Sequence, residues 1–383
     1  MTNRELHNYK KIPLIDTHVH MVYQDSVEKT VQIYRNIMEY FEYCGIVLQG
    51  MHHSMKGDDP ANNAKVLYCK AILNAEQPER KVYAYGSTMH YFDDRDTADG
   101  YLRQIEQMNA MGFDGVKILD GKAPLRKRIG RPLDDSMYDK FFAYAEEHGM
   151  PIKMHLGDPA YMWDPADRRY QFGKDMPSLE QLRSEAEGIL AKFPKLKLHF
   201  AHFYFLGHDL EYAERLLETW PNVALDLTPG GEMFVGFSER PEEWRVFFCK
   251  YADRIYYGTD TYNMFYSEIL EEYENGTGVG FRNNQVRRML EWSEPYEDPY
   301  YGPFIPMHLD EEVLKKIYCT NCLQLLGEPK TIANAVAAAY TSDLLTRFEH
   351  GFVRTADPER DKVELASLKK VYEFFIFEGR TEP

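Results

Sequence analysis

No stretch of the chain approaches the roughly 18 consecutive apolar residues of a membrane span, which excludes an integral helical membrane protein. The amino-terminal MTNRELHNYKK lacks the apolar region of a secretory signal, and this predicts a cytoplasmic address. Positive charge is in deficit. With 45 Lys and Arg against 61 Asp and Glu the formal net charge is −16, which argues against a nucleic-acid backbone or an anionic membrane surface as partner. Cysteine is scarce: Cys44, Cys69, Cys249, Cys319 and Cys322 make no disulfide framework. Cys319 and Cys322 form a CxxC, but it lies in the helical pattern VLKKIYCTNCLQLLG, and no second CxxC completes a zinc knuckle, so structural thiols are expected. There is no low-complexity linker, and no glycine-rich phosphate turn follows the first predicted strand.

What is present is alternation. Short β-rich runs occur at IPLID (12–16), GIVLQ (45–49), KVYAYGS (81–87), DGVKIL (114–119), PIKMH (151–155), LKLHFAH (196–202), NVALDL (222–227) and RIYYG (254–258). Segments of helical period lie between them, such as SVEKTVQIYRNIMEYFEYC, and Gly45, Gly112 and Gly149 stand where left-handed helix caps belong. Eight strands each followed by a helix predict an α/β chain folded as a (β/α)8 TIM barrel over about residues 12–327. A long insertion (261–309) follows the eighth strand, and two further helices from 331 pack outside, all in one domain of 383 residues. The insertion, with its aromatic EPYEDPYYGPFIP, reads equally as a lid or as a subunit contact. The 28 tyrosines and 22 phenylalanines suit either use.

Chemistry concentrates at strand ends. His18 and His20 are two apart on the first strand and therefore point the same way, as a shared metal requires. His155 closes strand five, His202 closes strand six and Asp260 follows strand eight. In a barrel these ends converge on one face, and imidazoles with a carboxylate suit Zn²⁺, with Mn²⁺ or Fe²⁺ as alternatives. Lys117 on strand four is read as a contact to substrate or to a neighbouring carboxylate, and Lys153 as a buried cation in need of a partner. His199 turns away from His202 and reads as a core residue, while Asp16 and Thr17 read as support for the imidazoles. His52, His53 and His90 are pocket candidates. Arg126, Lys127, Arg128 and Arg131 form either a solvated loop or an anion-binding lip, with Arg126 and Arg128 as candidate substrate contacts.

The pieces IDTHVH (15–20), PIKMHLG (151–157), LKLHFAH (196–202), IYYGTD (255–260) and NCLQLLG (321–327) resemble the amidohydrolase superfamily. Within it they are similar to the amidohydrolase-related branch that includes aminocarboxymuconate-semialdehyde decarboxylase-like enzymes. The resemblance implies one divalent metal held by His18, His20, His155 and Asp260, with His202 beside it to polarise a carbonyl or handle a proton. Some relatives carry a carbamylated lysine at the Lys117 position, which would bring a second metal. Where the branch often has Gly-Gly after the strand-six histidine this chain has Phe203-Tyr204-Phe205, which bears on the pocket and hence on substrate. The expected reaction is hydrolysis of a small organic ester, lactone or amide by a metal-bound hydroxide, Asp260 shuttling the proton. Non-oxidative decarboxylation of a small carboxylic acid is the alternative, and would need an arginine for the carboxylate: Arg126, Arg128, Arg131, Arg168 or Arg169. A barrel that has lost catalysis would have lost a site residue, and all five are present. The resemblance implies a small-molecule substrate and a homodimer as candidate assembly.

Overall fold

Nine strands pair in one all-parallel sheet: β1 (Ile15–His20), β2 (Gly45–Gln49), β3 (Lys81–Ser87), β4 (Gly115–Gly121), β5 (Ile152–Leu156), β6 (Leu198–Phe200), β7 (Val223–Asp226), β8 (Ile255–Tyr256) and β9 (Thr261–Tyr262). The structure, a computed structural model, describes residues 9–21, 26–51, 53–54, 57–58, 61–90, 97–228, 231–262, 278–298, 300–351, 355 and 357–379. The spatial order is β8-β7-β6-β5-β4-β3-β2-β1-β9, so the last two strands occupy opposite edges. Only residues 257–260 separate them in sequence, and the Thr17 N–H donates to the Tyr257 carbonyl at 3.1 Å. The sheet therefore curls until its edges meet, and strand ends far apart in sequence face one rim. The strands are buried on both faces, and several of them, β1 and β5 above all, carry buried polar side chains among the apolar ones.

Helix boundaries follow local chemistry. Ser26 accepts from the Lys29 N–H to start Val27–Tyr40, and Thr97 accepts from the Gly100 N–H to start Ala98–Met111. Gly112 (φ 95°) and Gly149 (φ 62°) take the expected left-handed position. Gly45 does not: Glu42 (φ 55°) makes that turn, and Gly45 opens β2, where a Cβ would stand 2.4 Å from the Lys81 carbonyl oxygen.

One predicted strand is shortened for a physical reason. The run 196–202 stays extended only to Phe200, because His202, Phe203, Tyr204 and Phe205 all adopt left-handed backbone, with φ between 52° and 57°. Such residues cost about 1–2 kcal/mol each. Packing opposes that cost. Phe203 and Tyr204 are fully buried, Phe203 stacking on Phe248 (5.6 Å) and Tyr204 on Phe200 (4.3 Å). Burial of each ring contributes about 2–3 kcal/mol.

After β9, residues 263–277 lie outside the described residues; helix Gly278–Glu291 and the antiparallel pair Tyr296–Asp298 and Gly302–Phe304 follow. Helices Asn334–Glu349 and Pro358–Gly379 form the tail, anchored by a buried Lys65–Glu364 ion pair (2.8 and 2.7 Å). Among the described residues no helix is long and apolar enough to cross a membrane.

Asn321 locks the end of the sheet to the closing helix. Its buried amide donates to the carbonyls of Ala252 (2.7 Å) and Ile255 (2.8 Å), at the entry to β8. Asn321→Leu strands both acceptors and should lower unfolding free energy by about 2–3 kcal/mol. Urea denaturation followed by far-UV circular dichroism measures this; an unchanged midpoint would mean that the amide contributes nothing.

Candidate metal centre

β1 presents His18 and His20 inward, and the turn after β8 brings Asp260 against them with a left-handed backbone (φ 53°). The Nε2 atoms of the two histidines are 3.0 Å apart, and Asp260 Oδ1 lies 3.4 Å from His18 Nε2 and 3.0 Å from His20 Nε2. All three side chains are buried, and their ligand atoms lie within 4.8 Å of one another. Ligand atoms around a first-row ion at ordinary bond lengths stand about 3.0–3.4 Å apart, which matches this triangle.

The protonation pattern also fits a cation. His18 Nδ1–H donates to Asp226 Oδ2 at 2.7 Å, so its Nε2 carries a lone pair. Asp260 Oδ1 is buried without a hydrogen-bond partner among the described residues, despite its closeness to His20. Its other oxygen is engaged, accepting from Arg282 Nη1 at 3.0 Å and from the Tyr262 hydroxyl at 3.3 Å. Beside this triangle stand His155 and His202. His155 Nε2 meets the Gly157 carbonyl (2.9 Å) and His202 Nδ1 meets that of Thr228, so each ring gives its proton to backbone. The remaining nitrogens, His155 Nδ1 and His202 Nε2, then face each other as lone pairs at 3.1 Å. Converging acceptors of this kind are what a cation satisfies.

Burial lowers all four imidazoles below the usual histidine value, reinforced at His18 by Lys117 and at His155 by Lys122; His155 falls to about 4 and His202 to about 3. The rings are thus neutral and competent as ligands. Lys117 is fully buried with Nζ 3.2 Å from His18 Nε2, and burial brings its amine down to about 7.

Asp226 was not singled out in the sequence, and it organises the site. At the end of β7 it accepts from His18 Nδ1–H, from Lys153 Nζ (2.9 Å), from the His202 N–H (2.8 Å) and from the Thr228 hydroxyl (2.6 Å). Burial pushes this carboxyl up, but Lys153 and His18 outweigh it and hold it well below the usual range. It is also the buried partner that Lys153 required. The available signal was its place at a strand end, NVALDL, on the rim that carries the histidines. Arg282 was also missed: it lies in the helix after β9, with no local pattern that marks it.

Other candidates fall away from the triangle. His199 is buried against Tyr256 (4.7 Å) and aligns with Lys153 across β5 and β6. Arg126 is a correction: its guanidinium makes a buried two-point pair with Glu185 (2.8 Å each) and does not reach the histidines. Arg128 is exposed, Arg131 pairs with Asp135, and Arg169 pairs with Asp167 and lies over the Tyr161 ring. His90 is tied to Asp120 (3.2 Å) and the Tyr101 hydroxyl (2.9 Å). His52 and the side chain of His53 lie outside the described residues. Asp16 accepts from the Thr259 hydroxyl and from the N–H groups of His18 and Thr259, holding β1 to the turn that carries Asp260.

Asp226→Asn weakens the acceptor that fixes the His18 tautomer and leaves Lys153 without its carboxylate, held only by the carbonyl and hydroxyl of Thr17. Metal affinity, read by competition with a chromophoric chelator, should fall about 10–100-fold while the fold is retained. Unchanged affinity would show that His18 needs no such orientation.

The sequence matches the amidohydrolase family over residues 15–327. No curated relative matches the chain. Among solved structures, an uncharacterized TIM-barrel protein from Bordetella bronchiseptica aligns with TM-score 0.52 at 15% identity, covering 85% of this chain and 99% of that one. A 2,6-dihydroxybenzoate decarboxylase from Rhizobium aligns with TM-score 0.47 at 13% identity (82% and 98% covered). An amidohydrolase from Mycobacterium avium subsp. paratuberculosis K-10 aligns with TM-score 0.44 at 19% identity (77% and 72% covered). The likeness to the Bordetella protein speaks for the fold alone, whereas the family match spans most of the sequence and includes every residue of the buried triangle. The chain belongs to the amidohydrolase family of metal-dependent enzymes.

Proposed function

We propose that this protein is a hydrolase that takes one divalent cation, Zn²⁺ first, and cleaves a small organic ester, lactone or amide. The observation that carries this reading is the buried meeting of His18 Nε2, His20 Nε2 and Asp260 Oδ1, with that carboxylate oxygen lacking a well-aligned hydrogen bond among the described residues. In this reading β8 and β9 are two halves of the eighth strand of a closed barrel. His18, His20 and Asp260 hold the ion, and His155, directed at His202, is the fourth ligand from the same rim. A divalent cation there supplies Lewis acidity, polarising a carbonyl and acidifying water.

The side chains divide the remaining work. Asp260 accepts a proton from water and delivers it to the leaving group. Arg282 and Tyr262 keep the carboxylate from rotating through its other oxygen. Because His202 gives Nδ1–H to the Thr228 carbonyl, its Nε2 is an acceptor. It therefore suits fixing a water or a substrate hydroxyl rather than polarising a carbonyl. Lys117, its amine held near 7 by burial, contacts the substrate.

A specific observation favours the second reading, decarboxylation. Arg282, from the helix after β9, reaches Asp260 in the site, whereas Arg126, an expected contact, is held by Glu185. It could bind a substrate carboxylate beside the metal.

Metal analysis of protein purified without added metal should give about one equivalent, lost in both His18→Ala and Asp260→Ala. The loaded protein should hydrolyse members of a lactone, ester and amide panel. Carbon dioxide release from carboxylated substrates, sensitive to Arg282→Met, would move the assignment to the second reading. About two equivalents would turn Lys117 into a carbamylated bridging ligand. Failure to bind any metal after reconstitution would sink both readings.

A further inference from the structure

The CxxC predicted to be two structural thiols has a third partner. Cys44, just before β2, places its Sγ 3.9 Å from Cys319 Sγ, across 275 residues of sequence. Both thiols are partly exposed, whereas Cys322 and Cys69 are buried and Cys249 stands alone on the surface. The pair lies at the amino-terminal end of the strands, opposite the metal triangle. It flanks the apolar cluster of Ile15, Val47, Tyr83, Tyr85, Tyr256 and Cys322. Cys319 belongs to a wide turn, Lys316–Thr320, in which the Ile317 carbonyl accepts from the Tyr257 N–H. Wide helical turns of this kind recur at functional positions.

We infer that Cys44 and Cys319 form an oxidation site that reacts with a hydroperoxide and closes to a reversible disulfide. The Cys319 thiolate attacks the terminal oxygen of the hydroperoxide; the O–O bond breaks and the alkoxide leaves (hydroxide from hydrogen peroxide) and is protonated by water, giving a sulfenic acid. The Cys44 sulfur then attacks the sulfenic sulfur; the S–S bond forms, the S–O bond breaks, and the hydroxyl leaves as water with the Cys44 proton. Overall, two thiols and one hydroperoxide yield one disulfide, one water and the alcohol, or a second water from hydrogen peroxide.

The geometry separates this from its rivals. The two sulfurs stand 3.9 Å apart against about 2.05 Å in a disulfide, so closure brings them together by about 2 Å. The pair's contact divides the two thiols: proximity to Cys44 lowers the titration of Cys319, and the same contact together with burial raises that of Cys44. The Cys44 thiol also donates to the Leu14 carbonyl at 3.3 Å, which holds its proton in place and leaves Cys319 the attacking role. A three-thiolate ion site is disfavoured, because among the described residues the metal-type cluster of three or more ligands is His18, His20 and Asp260.

The test uses the full-length, metal-loaded protein in a Cys249→Ser background, treated with hydrogen peroxide. Four titratable thiols under denaturing conditions should fall to two, and recover with dithiothreitol. Peptide mapping without reduction should recover the 44–319 cross-link. Cys44→Ser and Cys319→Ser should each abolish it, and Cys322→Ser should preserve it. The closed form should melt several degrees higher, about 3–8 °C. A 319–322 cross-link, or four thiols surviving in folded protein at peroxide doses that oxidise free cysteine, would overturn the assignment. Metal content, read in parallel, is independent of either result.

Discussion

The Asp226 carboxylate is the constraint on which the rest of the site depends. Three donors from other strands or turns meet on it, an imidazole, an ammonium and a backbone amide, and the Thr228 hydroxyl just after its own strand adds a fourth. Each relation does a different job. The contact to His18 selects the tautomer that leaves a lone pair for a metal. The contact to Lys153 makes a buried cation tolerable inside the sheet. The amide of His202 fixes where the chain leaves β6. A buried charge is costly unless its partners are complete, and here completion requires that β1, β5, β6 and β7 all be in register. The electrostatics of the site and the curvature of the sheet are one arrangement.

The interior around this carboxylate is polar to an unusual depth. Lys117, Lys153 and His199 align across β4, β5 and β6, below the rim that carries His18, His20, His155 and Asp260. Such a layer would destabilise a barrel filled only by branched aliphatics, since each group must find a partner away from water. Burial is the main reason the imidazoles above this layer lose basicity, and the buried lysines add to it; His155 falls to about 4 and His202 to about 3. Electrostatic support from below and acceptor convergence from above are complementary.

The parts legible in the sequence were those governed by short-range rules. Period-two alternation put His18 and His20 on one face, and strand-end placement gathered His155, His202 and Asp260. Four strands, β2, β3, β5 and β7, were located within a residue of their observed bounds. What escaped depended on tertiary company. Arg282 reaches Asp260 from a helix that no periodicity connects to β8. Arg126 looked available for an anion until Glu185, 59 positions away, was seen to hold it. The shortening of β6 was invisible because four consecutive non-glycine residues in left-handed backbone run against local preference, and only buried aromatic packing sustains them.

That left-handed turn restricts how the site can change over evolutionary time. At Phe203 or Tyr204 a glycine would relax the backbone, but would also delete a ring that the surrounding core is shaped around. A smaller β-branched residue would lose the ring and keep the strain. Improvement in one respect is loss in the other, so substitution proceeds only with compensating enlargement at neighbours such as Phe248 or Phe200. In the segment that follows His202 the backbone and the rings must therefore change together, and single substitutions there carry a cost that substitutions elsewhere around the site do not.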